Sequence, residues 1–488
     1  MAGTGGFAAG LSLASHKRQA MRRPIAAAAA PPLAVVALDQ GDGRIATPCI
    51  RAGDRVRVGR VLARTGDGGG ADIHAPVAGQ VREIAMLPTA ARSGLGLCVA
   101  IDNDGSDEPD PTNQPCPDYV GLAPDALIER IRRAGIVGLG GAAFPTSAKL
   151  DQGRERGVGH LVLNGAECEP WICCDDALMR ERAPDIVLGA QVMMHATGAG
   201  RCTIAIEDDK PEAEAALRAG LALAGDARLA VAVLPALYPA GAERQLLTAV
   251  TGLEVPQRGW PPDVGLLCQN VGTAAAIAQL VRTGEPLIRR IVTVTGSGVA
   301  NPCNVEVRIG TPLAALIEAG GGYVGEPQRL WYGGSMTGRA LADDGLPLTK
   351  SMNCIVAATG ADLRAAGPEL PCIRCGDCAR ACPAGLLPQQ LHRAVRSADE
   401  ASLARFGLAD CIECGCCDYV CPSAIPLTER FRVARLAMRE RESSAERAAQ
   451  ARLHFEHRER RLAALEDARH GEFEEARRRA RGQTPSGD

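Results

Sequence analysis

Residues 371–383 read PCIRCGDCARACP, and residues 410–422 read DCIECGCCDYVCP. Each is a C-x2-C-x2-C-x3-C-P run, the spacing that holds 4Fe-4S clusters: three thiolates face one cubane, and the fourth, followed by proline, reaches the other. The runs assign Cys372, Cys375, Cys378 and Cys421 to one cluster, and Cys411, Cys414, Cys417 and Cys382 to a second. Zinc is the alternative, but zinc sites pair two C-x2-C elements across a longer loop and have no use for a third cysteine at this spacing. Cys416 falls outside the pattern and reads as a bystander. The segment between the runs, 386–409, has helical composition and is long for a compact bacterial ferredoxin, which predicts a helical two-cluster ferredoxin domain over 360–432.

A chain of 488 residues is too long for one ordinary core. Its formal net charge of -3 exerts no global pull on nucleic acid, and no nucleic-acid partner is expected. With 46% hydrophobic but 3% aromatic residues and 56 glycines, the composition predicts alanine-rich helices, short strands and tight turns. Nineteen cysteines in so long a chain fit a reducing cytoplasm better than a disulfide scaffold. No apolar run reaches the length of a membrane-spanning helix. The stretch 15–38 imitates a secretory signal, a basic patch before an apolar one, but Pro31 and Pro32 interrupt it and no clear cleavage site follows.

The fold class expected is multidomain, α/β and α+β. Residues 1–34 are expected to be poorly ordered. Over 35–112, AGDRVRVGRVLAR and IHAPVAGQVREI predict a barrel-sandwich-like domain similar to biotin and lipoate carriers. Where those carry a modifiable lysine this chain has GDGGG, and no lysine lies between Lys17 and Lys149, so the domain reads as a scaffold. Over 120–285, helical and strand-like runs alternate, predicting an α/β layer whose ligands bind at the carboxyl ends of the strands. Residues 286–350 return to β character, a small β-grasp-like domain of the soluble ligand-binding type. Within it GSGVAN is a β-turn and not a phosphate loop, because proline follows and no helix starts. Residues 433–488 read as a charged helix and tail with a solvated surface, docking to a partner or an anionic membrane being the alternative.

Two clusters carry single electrons and do no bond chemistry, so a donor is sought elsewhere in the chain. GIVGLGGAAFPTSAKL at 135–150 places Gly138, Gly140 and Gly141 after an amphipathic helix, with Lys149 beyond. Small residues let backbone amides approach a phosphate, and a lysine supplies countercharge. NGAECEPW at 164–171 sets carboxylates and an amide just past a strand, where acids commonly accept ribose hydroxyls. Each of these alone also reads as an ordinary turn or capped loop.

GLGGAAFPTSAKL, NGAECEPW with CDDALMRE after it, YPAGAERQL at 238–246 and CQNVGTA at 268–274 occur in order. Together they resemble the flavin-carrying, NADH-oxidising subunit of respiratory complex I. With the sandwich-like start and two cubane runs, residues 35–440 resemble the C subunit of the Rnf-type ion-translocating oxidoreductase; the complex I subunit has one such run. The resemblance implies that Gly138, Gly140, Gly141 and Lys149 cradle FMN, with Phe144 nearby. It places Asn164, Glu167 and Glu169 against flavin and nicotinamide nucleotide, Tyr238, Gly241 and Glu243 in the same cavity, and Asn270 and Thr273 on the flavin. Three positions depart from the pattern: Leu139 replaces an arginine, Ala166 an acid, and Ala143 a glycine.

The reading that follows is hydride transfer from NADH to FMN, then single-electron steps through both clusters, with no catalytic acid or base. The implied setting is the cytoplasmic face of a bacterial inner membrane, as a peripheral electron-input subunit among membrane subunits, with ferredoxin or flavodoxin at the far end. Two rivals stand beside it: a soluble diaphorase subunit, and an electron relay in which only the clusters work.

Overall fold

In the computed structural model, residues 9–41, 43–66, 70–91, 94–257, 259–363 and 367–482 are described. Residues 1–8 and the centre of the GDGGG stretch lie outside them. Four apolar runs form an all-parallel sheet in the order Leu229–Leu234, Arg201–Glu207, His160–Gly165, Leu266–Asn270. Leu161, Val162 and Leu163 are fully buried, as a parallel strand covered on both faces requires. The strand first in sequence lies between the second and the fourth, so the connections switch direction beside it and open a crevice at the strand ends. Helices Cys174–Thr197 and Val271–Thr283 cover the sheet. They cross closely at Gly189, where a Cβ would stand 1.9 Å from the Ala274 carbonyl oxygen.

The N-terminal domain pairs a four-stranded antiparallel sheet (Leu33–Ala37, Leu95–Asn103, Gly79–Pro88, Arg55–Val56) with a three-stranded one (Thr47–Pro48, Val61–Arg64, Ile73–His74). Val36, Leu62, Val99 and Ile101 fill the space between them.

A six-stranded mixed sheet follows, and it extends beyond the expected 286–350. Its centre pairs Arg289–Thr295 with Cys303–Arg308 on one side and with Cys354–Ala358 on the other, and Arg329–Tyr332 and Arg339–Ala340 complete that second side. The fully buried run CIVAA at 354–358 is too apolar to end outside a core. The opposite edge is Ala26–Ala27, parallel to Val305 and Glu306. This corrects the expectation of a poorly ordered 1–34. Residues 9–34 run as an ordered strap, because the backbone of Ile25 donates to the Glu181 carboxylate and that of Ala28 to the Glu306 carbonyl. GSGVAN forms the expected turn, with Val299 N–H donating to the Gly296 carbonyl.

These domains and both cysteine runs belong to one unit, Met1–Gln389 with Asp410–Ile425. A second unit comprises Gln390–Ala409 and Pro426–Asp488. It is dominated by a 55-residue helix, Leu427–Arg481, laced by ion pairs such as Arg452 with Glu456 and Arg479 with Glu475.

Gly189→Val is expected to force the two covering helices apart at a cost of about 3 kcal/mol. A calorimetric melt checks it, as a transition lowered by several degrees.

Candidate functional site

The crevice is built from Asn164 and Asn270, which are register partners at the last rung between their strands. Asn164 donates to the Gly241 carbonyl at 2.8 Å and accepts from the Ala166 amide at 3.1 Å. That ties NGAECEPW to YPAGAERQL. Asn270 caps the following helix by accepting from Gly272 N–H, and its amide donates to the Asp175 carboxylate at 2.6 Å. Thr273 is fully buried; its hydroxyl accepts from Leu139 N–H and donates to the Val137 carbonyl, fixing the glycine loop.

In that loop Gly141 has φ +108°, which only glycine adopts without strain. Gly138 and Gly140 have no such φ, and a Cβ on either would meet protein atoms no closer than 3.6 Å. Nothing in the fold demands glycine at 138 and 140; their missing side chains leave room for another molecule to approach the backbone. The loop therefore fits a phosphate-bearing cofactor. Ala143 is buried with φ +51°, a left-handed conformation that costs an alanine about 1 kcal/mol.

The charged residues expected here lie at the crevice, and each already has protein partners. Lys149 pairs with Glu243 and donates to the Cys268 carbonyl. The Glu167 carboxylate accepts from the amides of Asp175 and Asp176 at 2.8 and 3.1 Å, neutralising the start of helix Cys174–Thr197. Among the described residues, one trio of potential metal ligands has its atoms within 4.8 Å of one another: Glu167, Cys174 and Asp175. The helix cap accounts for it. Glu169 accepts from the amides of Met336 and Thr337, holding the turn between Arg329–Tyr332 and Arg339–Ala340, and burial raises its pKa. Desolvation, reinforced by Glu167, pushes Asp175 up to about 7.

The cysteine runs repeat one backbone course. Arg374 and Glu413 take left-handed φ, as do Gly376 and Gly415 before the one-turn helices Asp377–Arg380 and Cys416–Tyr419, and Gly385 and Ala424 after the fourth cysteines. Leu370 N–H donates to the Ser423 carbonyl and Ser423 Oγ to the Pro371 carbonyl, so the end of the second run lies against the start of the first. This brings Cys421 toward Cys372. Around one zinc ion four sulfurs would stand about 3.8 Å apart; among the described residues no three cysteine sulfurs are grouped within 4.8 Å. Cys372 and Cys375 are exposed, whereas Cys411 and Cys414 are partly buried and Cys417 is buried.

Tyr238 joins the two halves. Its phenol donates to the Cys414 carbonyl at 2.6 Å. Around it pack Ala381, Cys168, Met336 and Cys416, so the bystander cysteine is a core residue of this junction. The strap meets the same place: Leu11 and Tyr238 exchange backbone hydrogen bonds at 2.8 and 3.0 Å, and His16 stacks on Trp171 at 4.3 Å. Sequence reasoning missed the strap, whose only signal was the basic HKR stretch read as signal-like. It also missed Met336 and Thr337, which had none.

Family models match along the chain in order: the RnfC barrel sandwich hybrid domain at 5–106, the Nuo51 FMN-binding domain at 131–279, the SLBB domain at 291–340 and a 4Fe-4S dicluster domain at 371–425. A Pseudomonas aeruginosa protein named as the C subunit of the ion-translocating oxidoreductase complex is 44% identical over 96% of this chain and 60% of its own length. One of the same name from Yersinia pestis is 41% identical over 95% of this chain and 74% of its own. The chain belongs to the family of C subunits of the Rnf-type ion-translocating oxidoreductases. It spans about 60% of the length of the first curated relatives it matches. A NAD+-reducing NiFe-hydrogenase in the H2-reduced state aligns with a TM-score of 0.46 at 20% identity, over 65% of this chain and 62% of that one, too distant to carry argument. Membership in the RnfC family fixes the multidomain fold, and no described helix is long and apolar enough to cross a membrane.

Cys421→Ser is expected to remove about half of the iron and sulfide, and Cys416→Ala none; metal analysis of anaerobically purified protein decides. Because the Asp175 pKa is higher in the folded chain than unfolded, the folded state holds the extra proton, and stability falls as pH rises from about 4 to 7. Asp175→Asn should flatten that fall, read from melting temperatures across the same range.

Proposed function

We propose that this chain is the electron-input subunit of a membrane-bound complex, taking electrons from NADH at the switch-point crevice and delivering them through two 4Fe-4S clusters to partner subunits, with ferredoxin or flavodoxin downstream. The observation that carries it is the hydrogen bond from Tyr238, a wall of the crevice, to the backbone of Cys414. It favours an order: the cluster of Cys411, Cys414, Cys417 and Cys382 next to the crevice, and the cluster of Cys372, Cys375, Cys378 and Cys421, of which Cys372 and Cys375 are exposed, as the exit.

FMN, bound here, would supply the conversion between hydride and single-electron chemistry. Gly138, Gly140 and Gly141 would admit it to the backbone, Lys149 would supply countercharge, and Asn270 and Thr273 would hold the loop in place. Asn164 and Gly241 keep the two crevice loops at a fixed separation, Glu167 and Glu169 shape the nucleotide side, and Glu243 orients Lys149. None of these residues has to move a proton. The ion-moving step belongs to the membrane subunits of the complex, and the chain's place is peripheral, on the cytoplasmic face.

The second reading, a relay in which only the clusters work, draws on Ala143 in its left-handed conformation and on the commitment of both glutamates to backbone amides. Anaerobic purification with iron, sulfide and acid-released flavin quantified, followed by NADH addition under visible spectroscopy, separates the two. The proposal expects FMN in the protein and bleaching of both chromophores. Clusters without flavin or any NADH response would leave the relay.

A further inference from the structure

The strap carries a buried cation into the crevice. Lys17 is 5% exposed, and its ammonium donates to the backbone carbonyl of Glu167. An ammonium has three donors, and burying one against a single neutral acceptor is costly. Burial raises the pKa values of the nearby carboxylates Glu169, Glu207 and Asp175 and the charge of Lys17 lowers them in part, but each takes its hydrogen bonds from another group. Glu207 is answered by the buried Lys210 at 2.6 Å, Glu169 by Met336 and Thr337, Glu167 by the helix amides, and Asp175 by Asn270. The strap also holds Lys17 firmly: Trp171 N–H donates to the Ser15 carbonyl at 2.9 Å, His16 lies flat on Trp171, and Met21 N–H donates to the Lys17 carbonyl. Every crevice residue touched, Glu167, Trp171 and Tyr238, belongs to the two loops that Asn164 ties together at the end of its strand.

We propose that Lys17 is a residue of the flavin pocket whose spare N–H donors meet the bound flavin and stabilise the negative charge it gains on reduction. The inference rests on the FMN reading above. A hydride from NADH brings two electrons and one proton, so NADH becomes NAD+ and the flavin gains one net negative charge. A fixed cation in a site closed to water favours that form over the oxidised one.

The test compares the whole chain, clusters included, with Lys17→Gln, which keeps a donor for the Glu167 carbonyl but no charge, and Lys17→Arg, which keeps the charge. Flavin is removed, and the affinities for oxidised and for chemically reduced FMN are measured anaerobically. Lys17→Gln should weaken reduced FMN about tenfold more than oxidised FMN, equivalent to a two-electron potential lower by about 30 mV. Lys17→Arg should stay near wild type. Equal weakening of both forms, or none, would overturn the role of Lys17 while leaving the FMN reading intact. A wild-type chain that binds neither form would overturn the FMN reading and the role of Lys17 with it.

Discussion

The hydrogen bond from the Tyr238 phenol to the Cys414 carbonyl is the constraint on which the working geometry depends. On one side Tyr238 belongs to the loop that Asn164 ties to the end of its strand. On the other, Cys414 belongs to a backbone course of left-handed turns whose conformation decides where its thiolate points. With Tyr238 only 4% exposed, its phenol would be destabilised without an acceptor, so the contact holds the second cysteine run at a fixed distance from the sheet. Electron transfer between centres requires such fixed separation more than it requires catalytic side chains.

Around that contact the charges are largely matched within the protein. The helix dipole takes Glu167, a hairpin turn takes Glu169, and Glu243 takes Lys149. Each pairing rigidifies a loop that would otherwise be free at the crevice mouth. The strap adds a further wall, anchored at one end on Tyr238 and at the other as an edge strand beside Val305 and Glu306.

Much of this was legible in the sequence because the signals were local. The spacing of Cys372 to Cys382 and of Cys411 to Cys421 states a cluster chemistry outright. HLVLNG and RCTIAIE read as strands because buried parallel strands are continuous apolar runs. What stayed hidden depends on distant partners. Ala26–Ala27 becomes a strand only because an edge elsewhere needs pairing, and CIVAA at 354–358 is placed by a sheet begun some sixty residues earlier. Spacing cannot reveal that Met336 and Thr337 come back to meet Glu169. Lys17 was invisible for the same reason: its neighbour, Glu167, lies 150 positions away.

The central claim is that electrons enter the cluster of Cys411, Cys414, Cys417 and Cys382 before that of Cys372, Cys375, Cys378 and Cys421. Rapid-mixing spectroscopy with NADH on two chains, each lacking one cluster, tests it most directly. With the outer cluster removed by Cys375→Ser, the remaining cluster should be reduced at the wild-type rate. With the inner one removed by Cys411→Ser, the outer cluster should be reduced far more slowly. The reverse pattern would contradict the account.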